Sequence, residues 1–383
     1  MKLGGLVAAV VIHLSPREAL HPSEVKNEFI SAVAKNFNTL DQFNDTDMYY
    51  NIFSKGMSDY HGAKPKLEKD FFLSYQSYAA MQETLHSWSM KYPHLATFIP
   101  SIGKTHEGRD IFAFKIATRG NSKRKKAIWF NGGLHAREWI APSATFYVIY
   151  KLLKRAKLPR IKKLLDKFDF HFTPLANPDG YEFSRMPEHR LWRKNRRNNG
   201  DGTFGVDLNR NWDEHWNSIK PSPNPNHPTY PGPHAHSEPE VRALANYSHS
   251  IPRCYGGIDF HAYGQLILRN WAWTLQPSPN ENVLLELSHE MQMAFLKTGK
   301  YYSVRKMADI YYASGTLNDW MAGQRRLIAI TLELCPTNTG RQLFEYPEHM
   351  ILDCVKGAYA ASLTFANFLV KNPDLPYNSS PAN

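Results

Sequence analysis

A chain of 383 residues, 42% hydrophobic and 13% aromatic, can bury one large core or two unequal ones. Its formal charge of +11 raises nucleic acid as a partner. However, the runs Lys123-Arg124-Lys125-Lys126 and Arg193-Lys194-Asn195-Arg196-Arg197 carry no nucleic-acid motif and read as solvated loops, so no nucleic-acid partner is expected. Three cysteines, Cys254, Cys335 and Cys354, exclude a disulfide framework, allow at most one internal bridge and leave at least one thiol over.

Met1-Lys2 followed by the apolar residues 3–14 reads as a secretory signal, residues 1–17, too short to span a bilayer. Sequons at Asn44, Asn246 and Asn378 fit a secreted protein. No later apolar run is long enough for a membrane helix, so no membrane partner is expected. Residues 18–71 are polar and turn-punctuated, with an amphipathic stretch over 25–37. They read as a short pro-segment or an N-terminal extension. Denser, periodic sequence begins near Leu73-Ser74-Tyr75 and marks a main domain over 72–375, with a tail at 376–383. Met81, Leu85, Trp88 and Met90 predict its first helix, and residues 102–109 predict a turn between two strands.

The most informative stretch is Asn131-Gly132-Gly133-Leu134-His135-Ala136-Arg137-Glu138-Trp139. Ala127-Ile128-Trp129-Phe130 before it reads as a buried strand. After it, Phe146, Ile149, Leu152 and Leu153 recur at helical spacing with Pro142 near the helix start. His135 and Glu138 therefore fall where a strand's carboxyl end becomes a turn, the usual place for a ligand site in an α/β sheet. An imidazole and a carboxylate three residues apart can grip one face of a zinc ion. Alone, the pair is also a common accident of surface helices.

Further on, Thr173-Pro174-Leu175-Ala176-Asn177-Pro178-Asp179-Gly180 reads as a strand ending in a turn. Ser237-Glu238-Pro239-Glu240 reads as a capping box opening a helix, and His234 and His236 as surface histidines. Residues 258–263 form an apolar strand carrying His261. Residues 327–334 form another, carrying Glu333, a charge whose burial calls for a partner or a task.

Taken in order, His135-x-x-Glu138, Asn177-Pro178-Asp179-Gly180, Trp192-Arg193-Lys194, Asp207-x-Asn209-Arg210-Asn211-Trp212, His261, Ile310-Tyr311-x-Ala313-Ser314-Gly315 and Leu332-Glu333-Leu334 resemble the zinc carboxypeptidases of the pancreatic A and B type. The resemblance runs from about Tyr75 to about Phe368. It implies an α/β fold with a mixed, mostly parallel twisted sheet flanked by helices on both faces. It also implies a secreted, monomeric exopeptidase acting on peptide C-termini with one zinc ion per chain. His135, Glu138 and His261 match the zinc ligands, and Asp207 the carboxylate that orients His135. Glu333 matches the general base and Arg193 the oxyanion-stabilising residue. Asn209, Arg210 and Tyr311 match the clamp on the terminal carboxylate, Arg137 an upstream peptide contact, and Asn318 the base of the specificity pocket.

The chain also departs from that family. Residues 18–71 are shorter than the family's globular pro-domain, two extra residues follow Cys335, and Arg269 stands where an aromatic residue is usual. A related zinc amidohydrolase would lack the Asn209-Arg210 clamp and Tyr311. A binding-only relative would have lost the ligands or the base. Asn318 is neutral and selects no charge class. If Lys306 or Arg269 reaches the pocket, C-terminal lysine or arginine is repelled, leaving a polar-to-acidic preference. If both face solvent, the taste is broad.

Overall fold

The computed structural model describes residues 70–118, 125–336 and 343–375. The signal, most of the pro-segment, the tail and residues 119–124 and 337–342 lie outside the described residues.

An eight-stranded sheet runs in the order β1-β2-β4-β3-β5-β8-β6-β7. Its strands are β1 Ala96–Lys104, β2 Asp110–Ile116, β3 Lys126–Gly132, β4 Phe168–Thr173, β5 Cys254–Ala262, β6 Leu266–Arg269, β7 Ser303–Lys306 and β8 Ile328–Leu334. The centre, β4-β3-β5-β8, is parallel, as is β6 with β7; the β1-β2, β2-β4 and β6-β8 pairings are antiparallel. The mixed, mostly parallel sheet is thus the one the sequence predicts.

The helices are α1 Tyr78–Lys91, α2 Ile140–Lys154, α3 Pro159–Lys167, α4 Pro178–Ser184, α5 Pro239–Ser250, α6 Glu281–Leu296, α7 Leu317–Gly323 and α8 Ile351–Lys371. They cover both faces because the central strands are apolar on both. On β3, Ile128 and Phe130 enter one core with residues of α1, α2, α6 and α8, while Ala127 and Trp129 enter another with α5 and α7. β8 divides the same way, with Ile328, Ile330 and Leu332 on one face and Ala329 on the other. A strand buried on both faces reads as a continuous apolar run, so the polar residues within it stand out.

Phe71 and Phe72 belong to the larger core, Phe71 stacking on Phe146 of α2 at 4.9 Å. The buried core therefore takes in Phe71, the last residue assigned to the N-terminal segment. Cys335 and Cys354 form one disulfide joining the end of β8 to α8, and Cys254 is free.

Some local expectations fail. Met90 is 69% exposed and plays no part in the core, because the buried stripe of α1 ends at Trp88. No capping box forms at α5. Glu238 stands at the N-cap without a side-chain cap, and Ser237 Oγ donates to its carboxylate instead. The 193–197 run is not a solvated loop. Arg193 pairs with Asp207, Arg196 with Glu107, and Arg197 with Glu238, and Lys194 is 5% exposed.

Candidate active site

The turn after β3 is made by glycine. Gly133 adopts φ +72°, where side-chain-bearing residues are strained, and a Cβ on Gly132 would lie 2.6 Å from Thr145 Oγ1 of α2. The turn delivers His135 and Glu138 to the carboxyl end of β3, and the neighbouring β5 brings His261 to the same place.

The three side chains converge almost fully buried. His135 Nδ1 lies 2.8 Å from Glu138 Oε1, His261 Nδ1 lies 2.9 Å from Glu138 Oε2, and the two Nδ1 atoms are 3.1 Å apart. The far nitrogens face carboxylates: His135 Nε2 is 3.2 Å from Asp207 Oδ1, and His261 Nε2 is 2.6 Å from Asp259 Oδ2. A carboxylate only accepts, so Asp207 and Asp259 hold each Nε2 as a donor, and with a cation among the three groups each Nδ1 would offer it a lone pair. Three such acceptor atoms close to one another can hold a metal ion. Two imidazoles and one carboxylate are also a donor set that zinc takes in catalytic sites.

The electrostatics agree. Burial pushes the His261 imidazole down, yet the Asp259 and Glu138 carboxylates outweigh it and hold its charged form well above the usual range. Burial likewise opposes charge on Glu138, but His135 and His261 pull its carboxyl well below normal. The pocket is built to hold positive charge.

Around this centre, Arg193 Nε and Nη2 donate to Asp207 Oδ2 at 3.1 and 2.9 Å, and its Nη1 lies 3.9 Å from Glu138 Oε1. Asp207 thus spans His135 and Arg193. Against burial, Arg193, Arg210 and His135 hold it ionised. On β8, Glu333 is the register partner of His261, and burial pushes its carboxyl up to about 8.

A cleft of about 450 Å³ opens beside these residues, with Arg137, Arg193, Arg210 and Tyr311 in its wall. Arg210 Cζ sits 5.6 Å from the Tyr311 ring, and Arg137 Cζ lies 4.0 Å over Phe344. Asn209 Oδ1 accepts from Leu317 N at 2.9 Å, which leaves Nδ2 as the donor of that amide. Asn318 does not line this cleft. It is buried, with Nδ2 3.7 Å from Met307 Sδ and Oδ1 unpartnered. Neither basic side chain offered for the pocket wall faces it as a bare charge or points to open solvent. Arg269 Nε donates to Glu281 Oε1 at 2.9 Å, and Lys306 Nζ donates to the Leu275 and Gln276 carbonyls, 3.7 Å from Glu281 Oε2.

Asp259 went unnoticed in the sequence. Its signal was Asp-x-His within a strand, a spacing that puts both side chains on one face. A second cluster, His106, Glu238 and Glu240, is as close-knit as the first. There the protein supplies its own donors: Asn195 Nδ2 to both carboxylates, with Arg197 and Ser237 to Glu238.

Known proteins are similar to this chain in sequence and fold. The zinc carboxypeptidase family model covers residues 81–361. Carboxypeptidase A4 of Mus musculus is 32% identical over 295 residues, 75% of this chain and 69% of that protein. Carboxypeptidase O of Bos taurus is 35% identical over 288 residues, 73% of this chain and 75% of its own length. Among solved structures, bovine thrombin-activatable fibrinolysis inhibitor in complex with tick carboxypeptidase inhibitor superposes with a TM-score of 0.72 at 27% identity, covering 79% of this chain and 99% of that one. Carboxypeptidase A from Helicoverpa armigera gives 0.69 at 27% identity, covering 77% and 75%. With the matched region spanning most of its length, this chain belongs to the zinc carboxypeptidase family and is a metallocarboxypeptidase.

Proposed function

We propose that this metallocarboxypeptidase binds one zinc ion through His135, Glu138 and His261 and releases single residues from the C-termini of peptides. The observation that carries the reading is the convergence of three acceptor atoms beside an arginine-walled cleft. When bound there, zinc supplies Lewis-acid chemistry and brings the pKa of a water to about 7. The chain's own residues do the rest. Glu333, the register partner of His261, takes the proton from the attacking water and hands it to the leaving amine. Asp207 keeps the His135 proton on Nε2 and steadies Arg193, whose guanidinium faces the developing oxyanion. Losing such a donor costs about 10²–10³ in rate. Arg210, Asn209 Nδ2 and Tyr311 clamp the terminal carboxylate, where a planar guanidinium allows bidentate contact. Arg137 meets the peptide upstream.

Glu333→Gln tests the assignment of the base. It should abolish hydrolysis while zinc content by metal analysis and thermal stability stay as in the wild type. Substantial residual turnover would mean that another group moves the proton.

For the removed residue, we read Asn318 as the pocket base. Its Oδ1 is buried without a partner, and Arg269 and Lys306 are paired with Glu281. An uncharged floor that can both donate and accept suits a neutral polar side chain, and nothing in it compensates a buried charge. In a panel of peptides differing only in the last residue, glutamine or asparagine should go fastest; lysine, arginine or glutamate in first place would refute this.

Secretion as a monomer, with the N-terminal segment removed up to about Phe71, completes the reading. Among the described residues no helix is long and apolar enough to cross a membrane. Burial of Phe71 and Phe72 sets the end of any removable segment just before them. N-terminal sequencing of secreted protein tests this: a product beginning deep inside α1 would contradict it.

A further inference from the structure

A row of buried polar residues crosses the sheet at right angles to its strands and ends on a zinc ligand. Trp129 Nε1 donates to Thr173 Oγ1 at 2.9 Å, and Thr173 Oγ1 donates to Asn131 Oδ1 at 2.7 Å. Asn131 Nδ2 donates to Asp259 Oδ1 at 2.8 Å, and Asp259 Oδ2 meets His261 Nε2 at 2.6 Å. The strands set this up through register, since Asn131 on β3 is opposite both Thr173 on β4 and Asp259 on β5. None of the five side chains is more than 1% exposed. Four polar residues in the apolar centre of a sheet are costly to desolvate unless every group is satisfied. Here the direction of each bond is forced: only the amide nitrogen of Asn131 can face a carboxylate, so its oxygen must accept from Thr173.

We infer that Asp259, fixed by this row, is a positioning residue that locks the His261 proton on Nε2, turns Nδ1 toward the metal and tightens the protein's hold on zinc. The inference rests on the zinc reading above and adds a second carboxylate–histidine pair to the one made by Asp207 and His135. Two of the three ligands are then held in their metal-binding tautomer by separate carboxylates from separate segments. Such outer partners typically contribute about 10–100-fold in metal affinity.

The decisive variant is Asp259→Asn, which keeps shape and volume. With Asn131 Nδ2 still donating to one side, the new amide must turn its oxygen to Asn131 and its nitrogen to His261. That drives the imidazole proton onto Nδ1, the atom that has to be bare for the metal. Measured by competition with a chromophoric chelator on the full chain, the zinc dissociation constant should rise by about 10–100-fold. The metal-free variant should melt with metal-free wild type, and imidazole nitrogen NMR should place the His261 proton on Nδ1. Zinc binding at wild-type strength, or a proton that stays on Nε2, overturns the inference. Asn131→Ala gives a second reading should Asp259→Asn fail to fold. It removes the donor that orients Asp259 and should weaken zinc in the same direction by a smaller factor; unchanged affinity again refutes the role. Wild-type protein that binds no zinc would instead defeat the zinc reading itself.

Discussion

His171 shows how a single side chain can set the acid stability of this domain without touching its chemistry. It lies on β4, paired through Nδ1 with the Tyr247 hydroxyl at 2.9 Å, and its Nε2 has no partner. Burial, with Lys115 adding repulsion, pushes its pKa down to about 3. The unfolded chain takes up a proton here below about 6.5, whereas the folded domain does not. The neutral form's contribution is therefore fully present above about 6.5 and is lost as pH falls toward 3. At pH 5 the loss is about 2 kcal/mol relative to pH 8. His171→Gln keeps an acceptor for Tyr247 and removes the titration, so urea unfolding at the two pH values should show a drop smaller by about that amount. An unchanged drop would place the acid sensitivity elsewhere. Asp259 belongs to the same scale: its place is invisible until Asn131 is known to lie opposite it, whereas His135 and Glu138 announce themselves at a glycine-marked turn.

At the scale of elements, legibility follows how many independent signals a stretch carries. β3, β5 and β8 are apolar runs interrupted by one or two polar residues, and His261 and Glu333 of the proposed site are among those interruptions. The turn after β3 is marked by two glycines whose need is steric. Where one local signal stood alone, long-range contacts prevailed. Ser237-x-x-Glu240 has the pattern of a capping box, but Glu238 and Glu240 are drawn to Asn195, Arg197 and His106 instead. The basic run at 193–197 looks solvated because its partners, Asp207, Glu107 and Glu238, come from distant segments. Lys306 and Arg269 could not be placed for the same reason, since Glu281 arrives from α6.

For the whole molecule, the sheet and its two apolar faces bring residues from four segments, at 135–138, 193–210, 259–261 and 311–333, to one edge of the parallel strands. That edge carries two distinct features, a metal-binding trio and an arginine-lined cleft, and an exopeptidase needs both. The trio alone would serve an endopeptidase equally well. In the proposed function the cleft restricts attack to a chain end, with Arg210 holding the terminal carboxylate. The most direct test is a mass-spectrometric time course on one peptide supplied as the free acid and as the C-terminal amide. The free acid should shorten one residue at a time from its C-terminus and the amide should be cleaved far more slowly; equal rates, or internal cleavage of either peptide, would contradict the account.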